Sequence, residues 1–335
     1  MRRAPLVLLI AACGCASGPT EDELARVEDY FTRGSQYYSA GRYPQAFDQA
    51  RRALELEPES GRLNLLAGRS LLMQRGLQPV ANAQGYLEKA AEELDNYKAP
   101  YALAEFHFRY GSLLTDYAQK EREDLERFPD ADAEFHAGRL RENEKRRRTA
   151  EDHFDQAEDL LEEVRAEVPE DLDTLEMLGQ VRSLRADDDG ALEALGSALE
   201  ILATSREYKN YVLGTDDQLS VEEERRLRSD LDGDIRREVA ILYLVAGLNR
   251  RLSDIHGEER AYDRILALAP SESGARFSRG AVRYELGRLA EAASDMRAFV
   301  ASTELGPESE EVQRAVDIVH EFETLQSGGR PLSRP

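Results

Sequence analysis

Apolar residues return along most of this chain at helical spacing, and the helices they predict come in pairs of fixed length. Residues 27–60 read VEDYFTRGSQYYSAGRYPQAFDQARRALELEPES, a unit of 34 residues. Each of its spaced positions has a mechanical role. Gly34 and Ala46 are small, so two helices of one unit can approach closely. Tyr30 and Tyr37 fill the space between helices, and Pro58 stops the second helix. The register recurs at residues 273–306 with Gly280, Ala292, Met296 and Phe299, and at 172–203 with Gly179, Ala191, Leu195 and Ala198. At 240–272, Tyr243, Gly247, Tyr262 and Pro270 fit with the unit one residue short. Gly68, Ala83, Leu87 and Ala90 fit at 61–95, with about three extra residues in the turn. The third of these six units along the chain, 97–169, pairs Gly111 with Ala157, Leu161, Val164 and Pro169 around an insertion at 118–150.

The ends of the array carry their own signals. Thr20-Glu21-Asp22-Glu23 is a capping box that starts the first helix. At 308–326 a last helix places Val312, Ala315, Val316, Val319, Phe322 and Leu325 on one face, the pattern of a polar-backed cap. Residues 327–335 form a polar tail expected to be disordered. Two segments break the period. In 118–150, Tyr117, Leu125 and Phe128 extend one helix, Phe128-Pro129-Asp130 interrupts it, and a second helix runs from about Ala131 to Val168. No apolar residue lies between Arg141 and Thr149, which predicts a projecting two-helix arm. In 204–236, Glu207 to Leu213 reads as a loop bearing Tyr208 and Tyr211, and Ser220-Val221-Glu222-Glu223 caps an extra helix from Val221 to Leu231.

The 34-residue period and the residues at its seven signature positions resemble the tetratricopeptide-repeat (TPR) family, over most of residues 27–306; Ala50 stands where the family usually has an aromatic. The resemblance implies an all-α solenoid, a right-handed superhelix of antiparallel helix pairs, whose inner groove is lined by the first helix of each unit. Carried along the register, the groove positions include Phe31, Tyr38, Leu65, Arg69, Phe108, Leu244, Phe277 and Tyr284, with Ser35, Leu72, Ser112, Gln180 and Leu248 between them. It also implies partners that are other proteins, held as a peptide or helix in the concave groove. TPR grooves that hold acidic tails use Lys and Asn where this protein has Phe31 and Ser35, so a segment with an apolar face suits this groove better.

The N-terminus sets the expected compartment. Met1-Arg2-Arg3 and the apolar Leu6–Ala12 form a secretory leader, 1–12, too short to span a bilayer. Ile10-Ala11-Ala12-Cys13 resembles the lipobox of bacterial lipoproteins, which implies cleavage before Cys13 and lipid attachment at its thiol. Cys15 is a competing site with a poorer fit, and an ordinary signal peptide ending near Ala16 is the alternative. Residues 13–19 would then be a lipid-anchored tether to the domain at 20–326. The same resemblance implies the outer membrane facing the periplasm in a diderm host, since Gly14 stands after the Cys where lipoproteins retained in the inner membrane carry Asp. Both cysteines lie in this segment, which excludes disulfides from the folded part.

Charge narrows the function further. The sequence has 66 Asp+Glu against 44 Lys+Arg, net −22, which suits solubility and disfavours nucleic acid as a partner. One basic stretch stands out: Arg139, Arg141, Lys145, Arg146, Arg147 and Arg148 on the arm. Its plain reading is a solvated helix with Glu142–Arg146 and Glu144–Arg148 pairs; contact with anionic headgroups or an acidic partner is the sharper one. The five histidines show no metal-ligand spacing, and Asp230–Asp234 lacks the Gly and Glu of a calcium loop. No metal, no cofactor and no catalytic group is expected. The expected function is a membrane-anchored scaffold for other proteins in envelope assembly, secretion or docking. The rival is groove binding of a glycan or peptidoglycan, for which the absence of Trp is unhelpful.

Overall fold

The structure, a computed structural model, describes residues 20–127, 133–215 and 219–327. Cys13, the leader, the tether, the Phe128-Pro129-Asp130 break and the tail from 328 lie outside these residues. The described residues form thirteen helices and no strand. They are α1 (Glu21–Ser39), α2 (Tyr43–Leu54), α3 (Gly61–Leu72), α4 (Leu77–Glu93), α5 (Lys98–Arg127), α6 (Ala133–Glu167), α7 (Leu172–Leu184), α8 (Asp188–Thr215), α9 (Val221–Arg251), α10 (Ile255–Leu268), α11 (Ser273–Glu285), α12 (Leu289–Ser302) and α13 (Glu310–Gln326). They fall into two compact units, one up to Ala150 and one from Glu151.

Within each unit, consecutive helices pack as hairpins, and first helices of neighbouring hairpins also touch: α1 with α3, α3 with α5. This is an all-α array of the TPR type. Thr20 caps α1 as its sequence demands. Its Oγ1 accepts from the Glu23 amide, and the Glu23 carboxylate accepts from the Thr20 amide at 2.8 Å. The small residues sit where helices meet. A Cβ on Gly179 would stand 2.5 Å from Leu195 Cγ, and one on Gly68 equally close to Leu87. Ala83 and Ala191, both fully buried, lie opposite Gly68 and Gly179, as the fully buried Ala46 lies opposite Gly34.

The fifth repeat corrects the sequence register by one residue. Gly34 and Gly280 are each followed seven residues later by a left-handed glycine in the hairpin turn, Gly41 (φ 70°) and Gly287 (φ 74°). Gly179 is followed likewise by Ala186 (φ 60°), and in α9 the left-handed residue is Ser253 (φ 60°). Seven residues before Ser253 stands Ala246, which is fully buried, whereas a Cβ on the exposed Gly247 would meet nothing within 4 Å. The repeat therefore spans 239–272, a full 34 residues. Leu242 (2% exposed) replaces Tyr243 at the packed position, while Tyr262 and Pro270 keep theirs. Glu258, 4% exposed, then occupies the place that Ala46, Ala191 and Ala292 hold in their repeats.

The described residues of both irregular segments are mostly helical. The arm is the end of α5 against the start of α6, joined by a polar seam. Glu121 is buried and accepts from Arg139 and Arg146, and Asn143 Nδ2 donates to the Ala118 carbonyl at 2.6 Å. The segment expected to be a loop, Glu207 to Leu213, is instead the end of α8, and the extra helix is not separate: it continues through α9 to Arg251. Polar bonds hold these extensions together. Lys209 Nζ lies 2.5 Å from Asp234, and the fully buried Glu238 accepts from Arg206 (3.2 Å) and Arg264 (2.6 Å). Such seams carry no apolar period, so periodicity alone misses them. In α13 the buried stripe is Val312, Ala315, Ile318 and Glu321; Val316, expected on that face, is exposed.

Candidate interaction face

The first helices of the N-terminal unit bring together most of the expected groove residues. Phe31 and Tyr38 on α1, Leu65 and Arg69 on α3, and Phe108 on α5 are each half-buried. Phe31 packs beside the cluster of Val27, Ala53 and Leu63 and is covered by the Arg62 guanidinium, 4.8 Å from its ring centre. Arg62 is also paired with Glu28 at 2.8 Å. Beside them a shallow depression of about 600 Å³ is lined by Glu28, Phe31, Thr32, Ser35, Gln36 and Ser39. Leu72, expected to line the groove, is only 1% exposed and belongs to the core.

A charged cluster surrounds Tyr38. Its ring meets Tyr43 edge-on at 5.4 Å, and the Arg69 guanidinium lies 5.8 Å over it. On α5, Glu105 pairs with Arg109 at 2.9 Å, and Arg109 Nη1 donates to the Leu72 carbonyl at 3.4 Å. Burial holds the Tyr38 hydroxyl above its ordinary range; the charge of Arg69 pulls it down and that of Glu105 pushes it up. Glu105 and Arg109 were missed from sequence, though their i,i+4 spacing is a readable signal. Arg69 differs from its neighbours. Its Nε is buried without a hydrogen-bond partner, and it forms no ion pair among the described residues.

The remaining expected residues are placed differently. In the C-terminal unit, Leu244 is exposed, but the corrected register puts Tyr243 on the first-helix face in its stead, and Leu248 is 1% exposed. Phe277 packs on Phe299 with ring centres 5.1 Å apart, and the Tyr284 hydroxyl donates to Glu321 at 2.6 Å, so both serve the junction with α13. Of the basic arm, Arg139 and Arg146 turn inward to Glu121. Arg147 and Arg148 pair with Glu144, Arg141 donates to the Ala137 carbonyl at 3.2 Å, and Lys145 is exposed. The basic patch is thus smaller than its sequence suggests, because two of its six cations neutralise a buried carboxylate. Of the histidines, His107 is packed inside, 4% exposed. Among the described residues no group of His, Cys, Asp or Glu could hold a metal ion, and no helix is long and apolar enough to cross a membrane.

No protein-family model matches this chain, and no curated protein matches it. Solved structures similar to it include a thermophilic TPR protein from Thermus thermophilus, 17% identical, covering 76% of this chain and 98% of that one, with a TM-score of 0.41. PilF of Pseudomonas aeruginosa is 16% identical over 88% of this chain and 98% of its own, with a TM-score of 0.42. The S. pombe nuclear import adaptor Nro1 is 12% identical over 90% and 99%, with a TM-score of 0.46. At these levels the fold rests on the chain's own hairpins and repeat register.

Proposed function

We propose that this protein is a lipid-anchored TPR scaffold that binds other proteins on the periplasmic side of the outer membrane, in envelope assembly, secretion or docking. The observation that carries the binding role is the face of α1, α3 and α5, which presents half-buried Phe31, Tyr38, Leu65 and Phe108 together with Arg69, whose guanidinium lies over Tyr38. Aromatic and arginine side chains on rigid helices are the groups that dominate protein interfaces. The face suits an extended or helical segment with an apolar side. The anchor rests on the Ile10-Ala11-Ala12-Cys13 motif. Two acyl chains or more would hold the protein firmly where one would not.

Two experiments test the two halves separately. Cys13→Ser should abolish metabolic palmitate labelling and release the protein from the membrane fraction; unchanged labelling would overturn the anchor. For the face, protein recovered from membranes should lose its partners in Phe108→Asp yet keep them in Gln84→Asp, which alters an exposed position on α4. Equal losses or none, in variants with unchanged helical circular dichroism, would place binding elsewhere.

A further inference from the structure

The arm spends part of its positive charge internally and turns the rest outward. Arg139 and Arg146 neutralise the buried Glu121, and with Asn143 they face α5. Arg141, Lys145 and Arg148 follow at i, i+4 and i+7 along the other side of α6, and all three are exposed. From first to last the ridge is about 10 Å long. Arg148 and Arg147 share Glu144, at 3.3 and 3.6 Å. Arg141 donates to the Ala137 carbonyl and, like Lys145, forms no ion pair among the described residues. Exposed cations are stable in water, so nothing in the fold requires a partner for them. Their effect is to give one edge of a strongly acidic protein a positive face. Two large apolar side chains flank that ridge, Phe135 at 57% and Leu140 at 47% exposure.

We propose that the ridge of Arg141, Lys145 and Arg148 docks on the anionic headgroups of a phospholipid bilayer, with this part of α6 lying flat in the headgroup plane. The ridge is convex and built on one helix, with an apolar residue on either side. A headgroup layer receives the cations at its surface and the Phe135 and Leu140 side chains just beneath it. An acidic peptide laid along the ridge would meet the cations and leave both apolar side chains in water. The arginine forks also match phosphate oxygens. Net charge −22 makes the rest of the chain repelled by the same surface, so the contact is confined to the arm and fixes how the protein is turned. This goes beyond the proposed anchor and the binding face. With lipid at Cys13, the ridge is a second membrane signal that sets orientation rather than attachment.

The test uses the chain from residue 13 with Cys13→Ser and Cys15→Ser, so that it bears no lipid. It is sedimented with vesicles of phosphatidylcholine, alone or mixed with phosphatidylglycerol. Binding should appear on the mixed vesicles at low salt and vanish on neutral vesicles or at high salt. At about fivefold per cation, Arg141→Gln with Lys145→Gln should bind roughly twenty-five times more weakly. Both positions are exposed, so the fold is retained. Arg225→Gln with Arg226→Gln removes the same charge from exposed positions of α9 and should bind as the wild type does. The sequence has no Trp, which makes Phe135→Trp a lone reporter whose emission should shift to the blue on mixed vesicles alone. Absence of wild-type binding, equal losses in the two double variants, or an unshifted Trp overturns the docking. Displacement of the vesicles by soluble polyglutamate at equal charge concentration overturns the bilayer as occupant and favours an acidic protein.

Discussion

The one-residue shift in the fifth repeat gives the sharpest test of the packing. Ala246 is fully buried in α9, and Leu adds three carbons there. Overpacking of this kind costs about 1–3 kcal/mol. Gly247 is one residue away, exposed, with nothing within 4 Å of a built Cβ. Gly247→Ala therefore adds no clash and gains roughly 0.8–1 kcal/mol of helix propensity. For a folding unit of this size, each kcal/mol moves the midpoint by about 2–4 °C. Gly247→Ala should thus raise the midpoint by about 2–4 °C, and Ala246→Leu should lower it by roughly 2–12 °C. Because repeat arrays open locally, amide hydrogen exchange over residues 239–272 should report the same order more directly than global melting. The register read from sequence, with Gly247 in the tight contact, demands the reverse order. A destabilising Gly247→Ala, or a neutral Ala246→Leu, would refute the reassignment.

Two further outcomes follow from buried carboxylates. Glu121→Gln removes the charge that Arg139 and Arg146 share, and should cost about 1–3 kcal/mol, since the arginine heads remain partly solvated. The loss should appear as faster hydrogen exchange confined to residues 112–150. Glu258 is in contact with Arg250 at 2.7 Å but without an aligned hydrogen bond, and burial raises its carboxyl above the ordinary value of 4.5, with Arg250 opposing. A carboxyl with a raised folded pKa stabilises the fold below its unfolded pKa and loses that contribution as the pH rises through the folded one. Glu258→Gln should therefore melt higher than the wild type at pH 7. The gap should close below about pH 4.5, and a constant difference across that range would contradict the assignment.

Much of this architecture was legible because small residues at helix crossings recur with a fixed period. Gly34, Gly179 and Gly280 with Ala46, Ala191 and Ala292 mark three hairpins from sequence alone. Legibility failed where polar groups replaced that code. Ala246 with Glu258 holds the fifth crossing, and the more conspicuous Gly247 drew the register to itself. The joins of α5 with α6 and of α8 with α9 are salt-bridged seams with little apolar period to find. On the interaction face, the aromatic positions followed from repeat offsets. The stacking of Arg69 on Tyr38 did not, because it depends on how α1 and α3 meet in three dimensions.

Site-specific photo-crosslinking from the face tests the binding role most directly. Benzoyl-phenylalanine replaces Phe108, a half-buried aromatic of α5, and in a parallel strain replaces Gln84, exposed on α4. Irradiation of cells should yield discrete adducts with another protein from position 108, and none of the same mass from position 84. Adducts of equal yield from both positions, or from position 84 alone, would contradict a partner held by the α1–α3–α5 face.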